Sequence, residues 1–316
     1  MGKIAFVFSG QGAQYPGMGQ ALYAHSAAAR ELFERAEQLR PGITRLCFEG
    51  SRAELSQTLN TQPCVFLADM AAACVLQEQG IQAEMAAGFS LGEVAALCFS
   101  GVFSFEEAFR LVLFRAEVMQ RCAQAHPGAM YAVLRLQADQ VEALAARFSE
   151  AYPVNYNCPG QTVVAVAQRE ADAFSEAVKE TGGRAMRLEV SGAFHSPFMA
   201  EASEHLKSYL QNMKAAQPAI PVYANLTARP YEAEQIAETL SAQASSPVRW
   251  EATVRAMQAD GCNKMVEVGV GKTLVGLIAR IDPAIAACRV EDMQTLQQTM
   301  ALLKEERVCS KEKQSL

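Results

Sequence analysis

Gly88-Phe89-Ser90-Leu91-Gly92 frames a serine with glycines two positions to either side, immediately before a helix-like run. To lift a hydroxyl clear of a sheet, a chain must leave a strand, turn sharply through a strained conformation and enter a helix. Small flanking residues let neighbouring backbone pack against that turn. A serine held there stands at a helix N-terminus, where free N–H groups and the dipole stabilise a developing oxyanion. The chemistry would be nucleophilic attack on an acyl group. A serine that only caps an amphipathic helix gives the same pattern, so its meaning rests on what accompanies it.

Three other residues have the right types. Gln11 stands in Gly10-Gln11-Gly12-Ala13-Gln14, directly after an apolar run. Glycines on both sides let this loop present a backbone N–H to a ligand, the place of a second oxyanion donor. The first donor then follows the nucleophile and is the N–H of Leu91. Without Ser90 the same loop reads as a tight strand-to-helix turn. Arg115 falls within or beside the apolar stripe of Ala108, Leu111, Val112, Ala116 and Met119. A guanidinium heading inward needs an anion, because burying the charge alone is very costly. That anion is a protein carboxylate or a substrate carboxylate, unless the side chain snorkels to solvent. Among four histidines, His25, His126 and His205 fall in helix-surface or loop contexts, whereas His195 lies in the apolar, proline-marked turn SGAFHSPFM. A lone histidine is more often structural. Beside a serine elbow, it suits a general base brought in by tertiary folding.

The elements that would position these residues alternate between strand and helix. IAFVF (4–8) reads as a buried strand, and helical patterns follow at 20–40, 51–59 and 62–80. MAAG leads into the serine turn and a helix from about 91 to 99; Ser104 and Glu107 form a capping box opening a helix to about 124. Residues 128–191 then read strand, helix, strand, strand, helix, strand. That order is a ferredoxin-like βαββαβ unit inserted in a larger α/β domain. The expected division is 127–192 for the insertion, with 1–126 and 193–316 forming the catalytic part. A helix at 198–214, a strand at 221–226, a helix at 247–259, a strand at 264–269 and a terminal helix complete the expectation, with polar 305–316 fraying.

Composition excludes several function classes. The chain has 316 residues, 50% hydrophobic and 20% charged, with mean hydropathy +0.02, as expected of a globular protein with a sizeable core. Its net charge is −6 and no Lys/Arg-rich run occurs, so nucleic acid is not an expected partner. No stretch approaches the roughly 20 apolar residues of a membrane span. The apolar start reads as a first strand rather than a targeting segment, and Phe6 breaks the myristoylation pattern. Nine cysteines without a CxxC pair, mostly in apolar context, read as free thiols in a reducing cytoplasm. No metal-site spacing appears. Gly269-Val-Gly-Lys-Thr273 resembles the end of a P-loop, but position 266, where the pattern needs glycine, is Val in a strand, so ATP is not expected.

Taken in order, GQGAQ (10–14), GFSLGE (88–93), the arginine of LFRAEVMQ (113–120), NYNCPGQ (155–161), VSGAFHSPFM (190–199), SPVRW (246–250) and VEVGVGKTL (266–274) closely resemble one family. It is the malonyl-CoA:acyl carrier protein transacylase family of bacterial fatty acid synthesis, related to polyketide acyltransferase domains. The resemblance covers nearly the whole chain. It implies an α/β-hydrolase-like large subdomain with the ferredoxin-like small one. It implies Ser90 as acyl-accepting nucleophile, His195 as base, Arg115 as clamp for the malonyl carboxylate, and the N–H groups of Gln11 and Leu91 as oxyanion hole. Asn157 joins the substrate-binding set, and Phe194 resembles malonyl-selective variants whose ring leaves little room for an α-methyl group. A backbone carbonyl near Arg249 would orient the histidine. Malonyl-CoA and acyl carrier protein are the implied partners of a cytoplasmic monomer, with no metal or redox cofactor. The chain departs from the family at Phe89, usually histidine, and at Arg249, often glutamine. A serine hydrolase, an acyltransferase of a polyketide or specialised assembly line, and a non-catalytic carrier-binding module are the alternatives.

Overall fold

The computed structural model describes residues 2–312, with side chains as far as residue 303. Its strands are β1 (Lys3–Phe8), β2 (Met85–Gly88), β3 (Gly128–Leu134), β4 (Ala151–Cys158), β5 (Gln161–Ala167), β6 (Arg184–Arg187), β7 (Val222–Tyr223), β8 (Cys262–Val268) and β9 (Ala286–Val290). One sheet has the order β7-β2-β1-β8-β9 with every pairing parallel; the other has the order β4-β5-β3-β6 and is antiparallel. The architecture is mixed α/β.

The parallel sheet is covered on both faces, which is why β1 reads as a continuous apolar run. Side chains alternate along β1: Phe6 and Phe8 enter one core with the helices Thr58–Glu78, Leu91–Phe99 and Phe105–Ala125, while Ala5 and Val7 enter another with Trp250, Met257, Leu274 and Ile278. Phe8 pairs in register with both Gly88 and Val268. The loops leaving β1, β2 and β8 therefore emerge together at the carboxyl edge of the sheet, where open α/β sheets bind ligands. The antiparallel sheet divides similarly. Tyr131 and Val133 pack under the helices Ala138–Ala145 and Ala171–Glu180, whereas Met130 and Ala132 join the main core.

One helix corrects the expectation about membrane spans. Thr58–Glu78 is long and apolar enough to cross a bilayer, but 83% of its apolar window is buried inside the protein. It is a core helix. Pro63 lies within it, and the Leu59 carbonyl that an N–H at that position would have served accepts from Arg40 Nη1 at 3.0 Å.

Other departures are local. The expected helix at 20–40 breaks at Ser26, which caps the second half, Ala27–Leu39, by accepting from Ala29 N. The helices Ile43–Glu49 and Ile236–Gln243 and the strand β9 were not anticipated; β7 is shorter than expected, and β6 stops at Arg187. The last helix, Met293–Glu312, carries through most of the segment expected to fray, and 313–316 lie outside the described residues. Eight cysteines are free; Cys309 lies outside the described side chains.

Candidate active site

The β2 turn gives Ser90 its geometry. Ser90 has φ 55° and ψ −101°, a strained conformation for a residue with a Cβ. Asn225 clasps the turn: Ser90 N–H donates to its Oδ1 at 2.7 Å, and its Nδ2 donates to the Gly88 carbonyl at 2.6 Å. The flanking glycines are required by contact. A Cβ at Gly92 would lie 2.3 Å from the Phe8 carbonyl oxygen, and one at Gly88 would lie 1.9 Å from the Gly92 backbone. Gly92→Ala should thus force β1 and the elbow apart, costing roughly 1–3 kcal/mol or more as overpacking does. Urea denaturation would show it as a lowered midpoint at unchanged slope, and an unaltered midpoint would refute the close approach.

His195 meets this serine across the fold. Ser90 Oγ and His195 Nε2 are 2.6 Å apart, and His195 Nδ1 lies 2.9 Å from the Gln243 carbonyl oxygen. A carbonyl only accepts, so Nδ1 carries the proton and Nε2 is left to accept from the serine hydroxyl. Burial, reinforced by the positive charge of Arg115, brings the imidazole pKa down to about 4. The ring is a neutral base at ordinary pH.

The carbonyl assignment at Arg249 is corrected here. Arg249 precedes the helix Trp250–Ala259, and its carbonyl accepts Thr253 N at 2.9 Å and Thr253 Oγ1 at 3.0 Å. Gln243 instead ends the helix Ile236–Gln243, where the last carbonyls have no partner within the helix. The negative end of that helix dipole faces the imidazole.

Arg115 is 3% exposed. Its Nη2 donates to Ser90 Oγ at 3.1 Å and to Gln243 Oε1 at 3.0 Å, and Nη1 donates to Gln62 Oε1 at 2.7 Å. Those acceptors are all neutral. Burial pulls its pKa down to about 10, opposed by the Coulombic attraction of the Glu93 charge. Glu93 is itself buried, its carboxyl pushed up to about 7 by desolvation.

Of the remaining candidates, some line an opening. Leu91 begins the helix Leu91–Phe99, so its N–H has no acceptor within that helix. Gln11 lies on the loop after β1, its Nε2 3.5 Å from Thr58 Oγ1. Gln11, Phe89, Asn155 and Asn157 line a cavity of about 480 Å³ between the β1 loop and the antiparallel sheet. The Oδ1 atoms of Asn155 and Asn157 are buried without a partner among the described residues. Phe89 sets its ring edge-on to Trp250 at 5.5 Å. Phe194 is buried in the main core and is not part of this cavity wall.

Sequence reading missed Gln62, Gln243, Asn225, Glu93 and Tyr231. Glu93 left a signal, as the one charged side chain in the apolar helical run LGEVAALCF.

A serine on a strand-to-helix turn, a neutral histidine on its hydroxyl and an arginine hydrogen-bonded to neutral acceptors at the same oxygen suit a site for acyl chemistry. The family model for the acyl transferase domain matches residues 5–284. Over 313 residues the chain is 37% identical to the malonyl CoA-acyl carrier protein transacylase of Bacillus subtilis, covering 97% of this chain and 99% of the relative. The crystal structure of the enzyme of that name from Clostridium perfringens superposes with TM-score 0.94 at 33% identity, covering 98% of this chain and 99% of that one. A malonyl-transacylase solved in complex with a type II polyketide synthase acyl-carrier protein is 33% identical, with TM-score 0.90 over 93% of this chain and 97% of that one. The chain is an acyltransferase and belongs to the malonyl-CoA:acyl carrier protein transacylase family.

Proposed function

We propose that this protein moves a malonyl group from malonyl-CoA to the phosphopantetheine thiol of an acyl carrier protein, by a ping-pong route through malonyl-Ser90. His195 Nε2 takes the hydroxyl proton as Ser90 Oγ attacks the thioester carbonyl. The N–H groups of Leu91 and Gln11 hold the oxyanion; Ser90 N–H is already engaged by Asn225. Collapse expels CoA as thiol with the proton from His195. The carrier thiol then gives its proton to His195 and attacks the ester; the carrier leaves as malonyl-thioester, and His195 returns the proton to the departing Ser90 Oγ. The opening lined by Asn155 and Asn157 would take the pantetheine arm, whose amides suit their unpartnered oxygens. Phe194 would limit room at the acyl α-carbon through packing beside His195. In this reading 1–126 and 193–316 form an α/β-hydrolase-like unit, with 127–192 a ferredoxin-like insertion.

One observation carries the malonyl assignment: a buried guanidinium, hydrogen-bonded among the described residues only to neutral groups, touches the nucleophile. A substrate carboxylate completes it. Arginine binds carboxylate through two charge-assisted hydrogen bonds, each worth roughly 1.5–3 kcal/mol, or about 10–150-fold. Arg115→Ala should lower kcat/KM for malonyl-CoA by at least one to two orders of magnitude while sparing or improving acetyl-CoA. Arg115→Lys should recover only part, since a point charge cannot reproduce the fork. Equal losses for both donors would mean that the carboxylate is bound elsewhere.

A further inference from the structure

Glu93 takes no part in the chemistry just described, yet it is fully buried one turn beyond the nucleophile. Three donors converge on it: Gln243 Nε2 at 2.7 Å and Asn225 N at 3.3 Å on Oε2, and the Tyr231 hydroxyl on Oε1. Each is a donor to a group that, ionised, only accepts. The consequence falls on Gln243, whose amide has two ends. Its Nε2 is committed to Glu93 and to the Ser90 carbonyl, the latter at 2.7 Å, and this turns Oε1 toward Arg115 Nη2. The opposite rotamer would set an NH2 group against a guanidinium, donor against donor. On the Nε2 end Glu93 holds the amide more firmly than the Ser90 carbonyl does, a carbonyl being a weaker acceptor than a carboxylate, and Arg115 favours the same direction from the Oε1 end.

We propose that Glu93 is a positioning residue for donor selectivity: its carboxylate locks the Gln243 amide so that Arg115 is held over Ser90 with its charge left for a substrate carboxylate. The proposal rests on the reading of Arg115 as the malonyl clamp. Because the relay ends on Arg115, its loss should weaken malonyl transfer and leave acetyl transfer largely alone. The orientation of His195 does not depend on the amide, since its Nδ1 partner is the Gln243 main chain.

The test is kcat/KM for malonyl-CoA and acetyl-CoA in Glu93→Gln, Arg115→Ala and the double variant, with circular dichroism to verify folding. Glu93→Gln keeps shape but adds a donor among donors. It should lower the malonyl-to-acetyl ratio about tenfold or more, the worth of one hydrogen bond to a charged group. In the Arg115→Ala background it should lower that ratio no further, since coupled residues are not additive. Equal losses for both donors, or full additivity, would overturn the proposal and leave Glu93 as a support of the elbow. If Glu93→Gln does not fold, Tyr231→Phe removes one donor and should shift the ratio in the same direction by a smaller factor; an unchanged ratio would overturn the proposal equally. The wild-type ratio should also fall as pH drops through about 7, where the carboxyl facing Tyr231, Gln243, the Asn225 amide and Arg115 takes up a proton. That fall should be absent in Glu93→Gln, and a wild-type ratio flat across this range would count against the lock. Should Arg115→Ala itself leave the ratio unmoved, the clamp reading fails and the proposal with it; failure of Glu93→Gln alone leaves the clamp standing.

Discussion

Ser90→Ala should yield a folded protein that neither acquires a malonyl group nor transfers one. Alanine keeps the Cβ, so the strained turn at φ 55° and its clasp by Asn225 are unaltered. What disappears is the hydroxyl that donates to His195 Nε2 at 2.6 Å and accepts from Arg115 Nη2 at 3.1 Å. No neighbouring group should replace it. Cys98 is buried, with a thiol pushed up to about 12, and Cys158 is also raised by burial. Neither supplies the thiolate that attack requires. Intact-protein mass spectrometry after mixing with malonyl-CoA is the direct measurement. The wild-type protein should gain one malonyl group, removed on adding carrier protein, and the variant none. A malonylated Ser90→Ala protein would overturn the assignment of the nucleophile.

The sequence carried the parts of this site that are written locally. A glycine-framed serine between an apolar run and a helix specifies an elbow by sterics alone, and the contacts at Gly88 and Gly92 bear that reasoning out. A continuous apolar run likewise specifies β1, whose residues 5–8 are buried on both faces. By contrast, β9 is half-buried at the sheet edge, with a β-branched residue only at Val290, so no pattern marked it. β7 has only two residues.

The site residues that escaped detection act through distance in the chain. Which carbonyl meets His195 depends on where a helix stops. The helix ending at Gln243 passes into the serine-rich stretch at 241–246, which reads as a loop. Gln243 serves the site twice, by main chain to His195 and by side chain to Arg115, across sequence separations of 48 and 128. No periodicity encodes such a juxtaposition. Asn225, which clasps the elbow from 135 residues away, is equally silent in sequence. Arg115 was readable as a buried cation, but the neutral character of its protein partners was not.

His195→Ala should slow both half-reactions by roughly 10²–10⁴-fold, the usual worth of a general base. The histidine is poised by three features at once: a carbonyl at a helix end fixes its tautomer, burial keeps it neutral, and Arg115 discourages its protonation. Its pKa near 4 lies below that of a free histidine, so the base stays competent as pH falls. Acetyl-CoA isolates this behaviour, because it lacks the carboxylate that would involve Arg115 and Glu93. With that donor, the rate of Ser90 acylation should hold from neutral pH down through 6 and decline only as pH approaches about 4. Stability has a matching sign. The folded protein binds fewer protons at His195 than the unfolded chain does, so this residue's contribution is intact above about 6.5 and is lost as pH falls toward about 4. Glu93 works oppositely, since its raised carboxyl favours the fold as it protonates below about 7. The difference between wild-type and His195→Ala unfolding free energies, followed against pH, separates the two. That difference should move in favour of the variant as pH drops below about 6.5. An acylation rate that halves near pH 6.5 with acetyl-CoA, or a His195→Ala variant that acylates at nearly the wild-type rate, would show that the histidine is not the base.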